Sequence, residues 1–239
     1  MRIDKLLCDM NYGTRKQVKE HIKNGLVHVN GVAVVKPEFH VDVDKDEIKI
    51  GGKVISFAKN HYYMLNKPQG VISSTEKGPT ETVIDILADE NVKGLAPVGR
   101  LDKDTEGLLL ITDDGKLAHN LLSPKKHVDK TYEVHLSNKL SEADIEQLEK
   151  GVDIGDEKMT LPAKVDVMDM ADDEGRPVIH LTIHEGRFHQ VKRMLEAVGN
   201  EVLFLKRLSM GSLVLDENLE PGEYRELTAE ELSALQNKQ

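Results

Sequence analysis

The sequence predicts an α+β protein in which a small N-terminal module, residues 1–59, is joined to a larger domain, residues 60–239, with a mixed or antiparallel sheet. The chain of 239 residues is long enough for a large and a small domain. Two short helical patterns and an Asn-Gly hairpin precede residue 59. Beyond residue 60, long strand-like stretches outnumber the helical ones, which is typical of an α+β fold.

The composition is that of a globular protein, with 39% apolar and 31% charged residues. No apolar run approaches the roughly 20 residues that a membrane helix needs. Asp4 and Lys5 also interrupt any signal-peptide core. A cytoplasmic protein without a membrane partner is therefore expected. Its only cysteine, Cys8, cannot form an intramolecular disulfide or a multi-thiolate metal site.

The net charge of −10 is unevenly distributed along the chain. Residues 1–59 carry a net charge of +3 and residues 60–239 a net charge of −13. A small basic segment before a large acidic body is a pattern of nucleic-acid-binding proteins, although an imbalance of this size also arises by chance. Charge alone therefore leaves a nucleic-acid partner open.

The N-terminal module is predicted to begin with two short helices. The apolar residues at helical spacing in the first are Ile3, Leu6, Leu7 and Met10, and Asn11-Tyr12-Gly13 ends it. Thr14 and Gln17 form a capping box that opens the second helix, and Gly25 ends it. Four cations share one exposed side of the second helix at a spacing that fits a phosphate backbone: Arg15, Lys16, Lys19 and Lys23. The alternative is that this basic side is only solvated.

A hairpin follows the helices, because Leu26–Val35 alternates around Asn30-Gly31. Together these elements resemble the alpha-L motif, a small RNA-binding module shared with a small-subunit ribosomal protein. The resemblance covers Arg2–Gly52. It implies an RNA partner and no particular reaction.

The larger domain is predicted to follow a linker at Ser56–Asn60. It begins with the apolar run Tyr62–Leu65, and the strand-like stretches that follow are Val71–Ser73, Leu108–Thr112, Thr131–Leu136, Val165–Met168, Val178–His184 and Val202–Leu205. Its predicted helices are Thr82–Leu87, Lys116–Leu122, Glu142–Lys150 and His189–Val198. The sequence has no GxGxxG, no GxxxxGK[ST] and no GxSxG, so nucleotide cofactors and serine hydrolases lack support.

The first candidate site is GRLDKDTEGLLLIT, Gly99–Thr112, where acidic residues occupy a glycine-bounded loop just before an apolar strand. The acidic spacing matches a calcium-binding EF-hand loop. However, Pro97 before the loop and the apolar run Leu108–Ile111 after it are unlike the two helices that an EF-hand needs. Calcium binding and a purely structural turn around Asp102 stay as alternatives.

Two further segments carry candidate residues. Lys130–Leu136 alternates as a strand, and its Tyr132 is either a core residue or a stacking surface for a nucleobase. Ile179–Met194 is predicted to form a strand, a glycine turn and a helix. The start of this helix carries cations that suit a carboxylate or a phosphate, or are only exposed: Arg187, Lys192 and Arg193. His180 and His184 would lie roughly 13 Å apart on a strand, too far to share one zinc ion, so no metal is expected.

These segments together resemble the pseudouridine synthases, and most closely the RsuA branch, which modifies a uridine of small-subunit ribosomal RNA. The matching segments are MLNKPQGV at Met64–Val71, GRLDKDTEGLLLIT at Gly99–Thr112, SPKKHVDKTYEV at Ser123–Val134, EGRFHQVKRMLEAVGN at Glu185–Asn200 and LEPGEYRELT at Leu219–Thr228. They cover nearly the whole chain in family order. The resemblance implies a catalytic domain with a central cleft.

The resemblance also implies a role for each candidate residue. Asp102 would be the nucleophile, Tyr132 would stack on the uracil and help to move a proton, and Lys192 would pair with Asp102. Many relatives have Arg in place of Lys192, which preserves the charge but not a bidentate geometry. The predicted substrate contacts are Arg100, which fills or holds the space left in the RNA, Arg187, Arg193 and Leu205.

The implied function is isomerisation of a uridine in 16S ribosomal RNA to pseudouridine by a monomer, with the base flipped out of its stack. Uracil detaches from ribose at N1 and reattaches through C5, so the bonds balance and no cofactor is needed. Attack at C1′ or at C6 stays open, as do free RNA and an assembling particle as substrates. The alternatives are modification of large-subunit RNA and a non-catalytic role in ribosome assembly.

Overall fold

The computed structural model describes residues 1–10, 12–43, 45–55, 60–90, 92–123 and 126–237, without the side chains of residues 169 and 170. The chain divides into two compact units. The first comprises Met1–His61 and Leu87–Leu95, and the second comprises Tyr62–Ile86 and Ala96–Gln239. Of the predicted linker Ser56–Asn60, residues 56–59 lie outside the described part, and the domain boundary stays a prediction.

The first unit contains two helices and a four-stranded antiparallel sheet with the order β2-β1-β3-β4. Its elements are α1 (Ile3–Asp9), α2 (Arg15–Lys23), β1 (Val27–Val29), β2 (Val32–Ala33), β3 (Ile48–Ile50) and β4 (Lys53–Ile55), with a 3₁₀ turn at Ala88–Glu90. The buried core of the module is Ile3, Leu6, Leu7, Val18, Ile22, Val27, Val29, Val34, Val41, Ile48 and Ile55.

Local sequence signals explain where these elements begin and end. The predicted capping box is confirmed: the Gln17 amide donates to the Thr14 hydroxyl at 3.4 Å, and the Thr14 amide donates to Gln17 Oε1 at 2.9 Å. The predicted hairpin is confirmed as well. Asn30 and Gly31 take φ values of 52° and 81°, the left-handed pair that a type I′ turn requires.

The second unit is built on a nine-stranded mixed sheet with the order β13-β5-β7-β11-β8-β10-β9, to which β6 adds on β7 and β12 on β11. The strands are β5 (Tyr62–Lys67), β6 (Ala96–Pro97), β7 (Glu106–Thr112), β8 (Lys130–Leu136), β9 (Lys164–Ala171), β10 (Pro177–Ile183), β11 (Val202–Met210), β12 (Leu213–Val214) and β13 (Tyr224–Glu226). The helices are α3 (Val83–Ile86), α4 (Gly115–Leu122), α5 (Glu142–Lys150), α6 (Gln190–Ala197) and α7 (Ala229–Asn237). Among these pairings only β7 with β11 is parallel, which confirms the predicted α+β class. No helix in the described ranges is long and apolar enough to cross a membrane.

One predicted strand is wrong and several short elements were not predicted. Val71–Ser73 makes only an isolated parallel bridge, between Ile72 and Thr82, because the backbone of Ile72 hydrogen-bonds to Glu81 and Val83 at the start of α3 and not to a strand. Strands β6, β12 and β13 are two or three residues long, too short for a period to show. Helix α7 begins after Thr228, whose hydroxyl accepts a hydrogen bond from the Glu231 amide at 3.2 Å.

A glycine permits the close pairing of the central strands β7 and β11. Gly107 lies opposite Arg207 in the parallel register and has a φ of +99°. A Cβ at this position would lie 2.3 Å from the carbonyl oxygen and 2.7 Å from the nitrogen of Arg207. Only glycine fits there, and the close approach places β11 beside the loop that precedes β7.

Candidate active site

The loop that carries Asp102 lies between β6 and β7, and buried side chains fix its backbone. The Lys67 ammonium, at the end of β5, donates to the carbonyl oxygens of Pro68 and Thr105, both at 2.9 Å, and to that of Lys103 at 3.4 Å. Ser73 holds Leu101 on the other side of the aspartate. The carboxylate of Asp102 is therefore presented by a loop bound at the residues on both sides of it.

Lys67 is fully buried. Burial lowers the pKa of its ammonium to about 8, while the carboxylates of Asp104, Asp102 and Glu106 act in the opposite direction. Sequence analysis did not single out Lys67 or Ser73. The sequence feature that could have identified Lys67 is its position at the end of the apolar run of β5. A lysine there is rarely buried unless carbonyl or carboxylate groups bind it.

Two groups from the segment around α6 approach Asp102. The Lys192 Nζ lies 3.8 Å from Asp102 Oδ2, and the His189 Nε2 lies 3.5 Å from Asp102 Oδ1. Lys192 makes shorter bonds to Asp104, at 2.6 and 2.7 Å to its two oxygens. This hydrogen-bonded ammonium holds the pKa of Asp104 below its ordinary value. The cation is thus shared, and Asp102 is its more distant partner.

The backbone at the start of α6 orients His189 and Lys192 toward Asp102. His189 precedes the helix with a left-handed φ of 48°. The buried Gln190 accepts from the Arg187 amide at 2.9 Å and donates to Glu185 at 3.0 Å, which ties the turn to the helix. The rings of Phe188 and His189 stack with centroids 3.8 Å apart, and Phe188 is 72% exposed. Sequence analysis did not single out this exposed aromatic pair.

One face of the β8–β11 pair supplies the other wall. Burial alternates along β8, so that Lys130 and Tyr132 point to the same side. Across the ladder, Arg207 is the register partner of Tyr132, and Leu205 is the partner of Val134. Directly opposed residues share a face of the sheet. Lys130, Tyr132, Leu205 and Arg207 therefore lie together on it.

These parts enclose a cavity of about 530 Å³, within the size range of small-ligand sites. Of the candidates from sequence, it is lined by Asp102, Tyr132, Lys192, Arg100, Arg187 and Leu205. The structure thus brings the three proposed catalytic residues into one site, although they are 30 and 60 residues apart along the chain. The four cations of the second helix, Arg15, Lys16, Lys19 and Lys23, are exposed in the other unit.

The side chains of two predicted substrate contacts, Arg187 and Arg193, are hydrogen-bonded to other groups of the protein. Arg187 donates to the carbonyl oxygens of Lys158 and Met159 at 2.6 and 2.8 Å, and to Glu185 at 3.0 Å. Arg193 donates to the carbonyl oxygens of Ile154 and Phe188 and, at 2.6 Å, to the carboxylate of Asp156. Their contact with substrate stays a prediction. What the structure shows is that both hold the segment 154–159.

The EF-hand alternative does not fit the geometry. The loop is followed by β7 where an EF-hand would have a helix. Two residues that would serve as ligands have other roles, because Asp104 binds the Lys192 ammonium and Glu106 lies within β7. The loop is therefore a strand-to-strand connection that holds Asp102 at the cavity.

The chain is similar in sequence and in fold to known proteins. The sequence profile of the family described as RNA pseudouridylate synthase matches residues 61–197, and that of the S4 domain matches residues 1–48. A Bacillus subtilis protein named uncharacterized RNA pseudouridine synthase is 52% identical over 240 residues, all of both chains. The ribosomal small subunit pseudouridine synthase A of Vibrio cholerae is 41% identical over 98% of this chain and 99% of its own. A crystal structure of a pseudouridylate synthase matches with a TM-score of 0.67 and 38% identity, over 98% of this chain and 99% of that chain.

Proposed function

The chain belongs to the RNA pseudouridylate synthase family, and we propose that it isomerises a uridine of small-subunit ribosomal RNA with Asp102 as the nucleophile. The family makes the chain an RNA pseudouridine synthase. The small-subunit target is supported by full-length relatives that carry that name, in Vibrio cholerae and in Haemophilus influenzae at 38% identity. An S4 domain at residues 1–48 supports an RNA partner.

The observation that carries the proposal is the placement of Asp102. A half-buried carboxylate lines a cavity beside a tyrosine ring, with an ammonium 3.8 Å away. A turn residue would need neither the ring nor the cavity. A carboxylate that must act on a base does need both, because the base has to leave its stack and be held against the attacking oxygen.

The reaction requires few groups. Asp102 adds to ribose C1′ or to C6 of the ring as the N1–C1′ bond is exchanged for a C5–C1′ bond. Tyr132 stacks on the base and helps to move the proton that C5 must lose. The Lys192 ammonium forms an ion pair with Asp102 at 3.8 Å. Arg100, exposed where it lines the cavity, fills or holds the space that the base vacates in the RNA.

The proposal is tested by mapping pseudouridine in ribosomal RNA from source cells with and without this gene. We expect one pseudouridine of 16S RNA to disappear and to return on complementation with the wild-type gene. Asp102→Asn should not restore it. Loss of a site in 23S RNA only would assign the enzyme to the large subunit, and an unchanged map of both RNAs would contradict a ribosomal RNA target.

A further inference from the structure

Two cations on the β8–β11 face, Arg207 and Lys130, have no role in the proposed reaction. Arg207 is 1% exposed and Lys130 is 9% exposed, and both line the cavity that holds Asp102. Both share their face with Tyr132. Positive charge on this wall is unusual, because lysine and arginine are almost never buried without a partner.

Their polar partners are few. The Arg207 Nε donates to the carbonyl oxygen of Leu108 at 2.8 Å, and its Nη2 is buried without a hydrogen-bond partner in the described part of the chain. The Lys130 ammonium donates to the carbonyl oxygen of Val128 at 2.9 Å. Within the described residues, no carboxylate lies within 4 Å of either cation.

The neighbouring carboxylates are already engaged. The Asp129 carboxylate accepts a hydrogen bond from His184 Nδ1 at 2.6 Å, and the Glu185 carboxylate accepts one from Arg187 at 3.0 Å. Arg207 and Lys130 therefore form an electropositive wall with unused donor capacity. Burying two cations together is unfavourable unless an anion or a polar ligand joins them, which indicates a ligand whose oxygen atoms complete the site.

We propose that Arg207 and Lys130 bind the carbonyl oxygens of the target uracil and stabilise the negative charge that the ring acquires during the reaction. This rests on the proposed function. A base is favoured over a phosphate as the ligand, because the RNA backbone has to enter and leave the cavity through its opening and therefore stays near that opening. A flipped base extends away from the backbone and can reach the buried wall.

Negative charge reaches the ring by either route of attack. When Asp102 displaces the base at C1′, the N1–C1′ electron pair stays on uracil and is delocalised onto O2 and O4. When Asp102 adds to C6, the π electron pair of the C5–C6 double bond is delocalised onto O4, and the N1–C1′ bond breaks afterwards. In both routes C5 then bonds to C1′, the bond to Asp102 breaks and returns the free carboxylate, C5 loses its proton and N1 gains one, so no oxidant or reductant is needed. A cation at the ring oxygens therefore stabilises the intermediate whichever route applies.

Removing the charge tests the role of Arg207. We expect Arg207→Met to lower the single-turnover rate constant at saturating RNA about 10²-fold or more, which is the usual effect of removing one charge-stabilising group. The RNA affinity of this variant should stay within about threefold of that of the wild type. Arg207→Lys should recover part of the rate. Lys206→Met, one residue away on the same strand and on its opposite face, is the matched control and should keep the wild-type rate.

An anionic probe separates charge stabilisation from a structural role. The probe is 6-hydroxyuracil, which has the ring of uracil and is an anion at neutral pH, compared with uracil itself as an inhibitor. Arg207→Met should weaken inhibition by 6-hydroxyuracil at least tenfold more than inhibition by uracil. A variant that is only misfolded would weaken both equally, and Arg207→Lys should keep most of the preference.

Lys130 supplies a pH-dependent test. Burial, followed by the nearby Arg207, lowers the pKa of Lys130 to about 8, against the opposing effect of Asp129 and Glu185. Asp102, His184 and Lys192 also line the cavity. The cation is present below about pH 8 and is lost as pH rises through that value, so kcat/KM should fall there. Lys130→Arg should shift this alkaline fall upward, because Arg stays protonated.

The outcomes distinguish this inference from the proposed function. If the wild-type enzyme makes pseudouridine and Arg207→Met keeps its rate constant and its relative inhibition by the two bases, the inference is overturned and the proposed function stands. If Lys130→Arg leaves the alkaline fall unchanged, Lys130 has no part in it. A wild-type enzyme without activity on ribosomal RNA would instead contradict the proposed function.

Discussion

The Lys192 ammonium interacts with two carboxylates, and its distances to them determine the effect on the reaction rate that we expect from substituting it. Its bonds of 2.6 and 2.7 Å go to Asp104, whereas Asp102 is 3.8 Å away. We expect Lys192→Met to lower the single-turnover rate about 10²-fold, because Asp102 then loses its cation. Lys192→Arg should stay within about tenfold of wild type, since the charge is kept but the geometry changes.

The matched control for this pair is Asp104→Asn. It removes the carboxylate that competes for Lys192 and leaves the cation free to approach Asp102, so turnover should stay within about threefold of wild type. Single-turnover pseudouridine formation on one RNA fragment measures all three variants. A loss with Asp104→Asn as large as that with Lys192→Met would mean that Asp104, and not Asp102, is the partner that matters.

Residues within the site were predictable to different degrees. Asp102, Tyr132 and Lys192 were chosen through the resemblance of their segments to a family, and the structure places all three at one cavity; their catalytic roles stay predictions. Lys67, His189 and Arg207 were missed, because their importance depends on contacts between β5, α6, β11 and the Asp102 loop. No period or motif within a single element reveals such contacts.

At the scale of elements, the pairing of β7 with β11 depends on Gly107. A methyl group there would overlap the backbone of Arg207, and the φ of +99° is unfavourable for any side chain. We expect Gly107→Ala to lower the free energy of unfolding by roughly 3 kcal/mol or more. Denaturant unfolding measures it, and a variant too unstable to purify would agree with the same expectation.

Gly115→Ala is the control. Gly115 is the first residue of α4, has no positive φ, and an added Cβ would meet nothing within 4 Å. Alanine is the better helix former, so this variant should be neutral or more stable by about 0.4–1 kcal/mol. Equal effects at the two glycines would show that the close approach of β7 and β11 does not limit stability.

Elements were predictable where they were long. The strands β7, β8 and β10 and the helices α4, α5 and α6 were expected within two residues of their observed bounds, because a buried face or a continuous apolar run of this length is visible in the sequence. Strand β11 runs on to Met210, beyond the predicted Leu205. Its second half is stabilised by pairing with β8 and β12, which are tertiary partners that a local pattern does not contain.

At the scale of the whole molecule, charge is separated between the N-terminal module and the rest of the chain. The exposed stripe on α2, Arg15, Lys16, Lys19 and Lys23, is the predicted RNA contact of the module. We expect the quadruple Ala variant to flatten the slope of log affinity against log salt by roughly 3 units, since each phosphate contact contributes about 0.7 to 0.9. Single-turnover chemistry at saturating RNA should be nearly unchanged.

A second quadruple variant controls for net charge. Lys116, Lys139, Lys150 and Lys164 are exposed cations of the acidic body. Their replacement by Ala changes the net charge equally and should flatten the salt slope by less than about 1 unit. RNA binding measured across a salt series decides between the variants. A stripe variant with the wild-type slope would mean that α2 is only solvated.

The α+β class and the mixed sheet were predictable for the whole molecule, since they follow from the number and length of strands and helices. The order of the strands was not. Placing β11 between β7 and β8 brings together residues more than 90 positions apart, such as Gly107 and Arg207. That pairing creates the wall of the cavity, and it depends on the backbone approach at a single glycine.

The most direct test is the reaction of purified wild-type and Asp102→Asn proteins with small-subunit ribosomal RNA. The substitution preserves the shape of the side chain and removes its negative charge. We predict that the wild-type protein forms pseudouridine at one position and that Asp102→Asn forms none, while both bind the RNA with affinities within a few-fold of each other. Substantial pseudouridine formation by Asp102→Asn would contradict the assignment of Asp102 as the nucleophile.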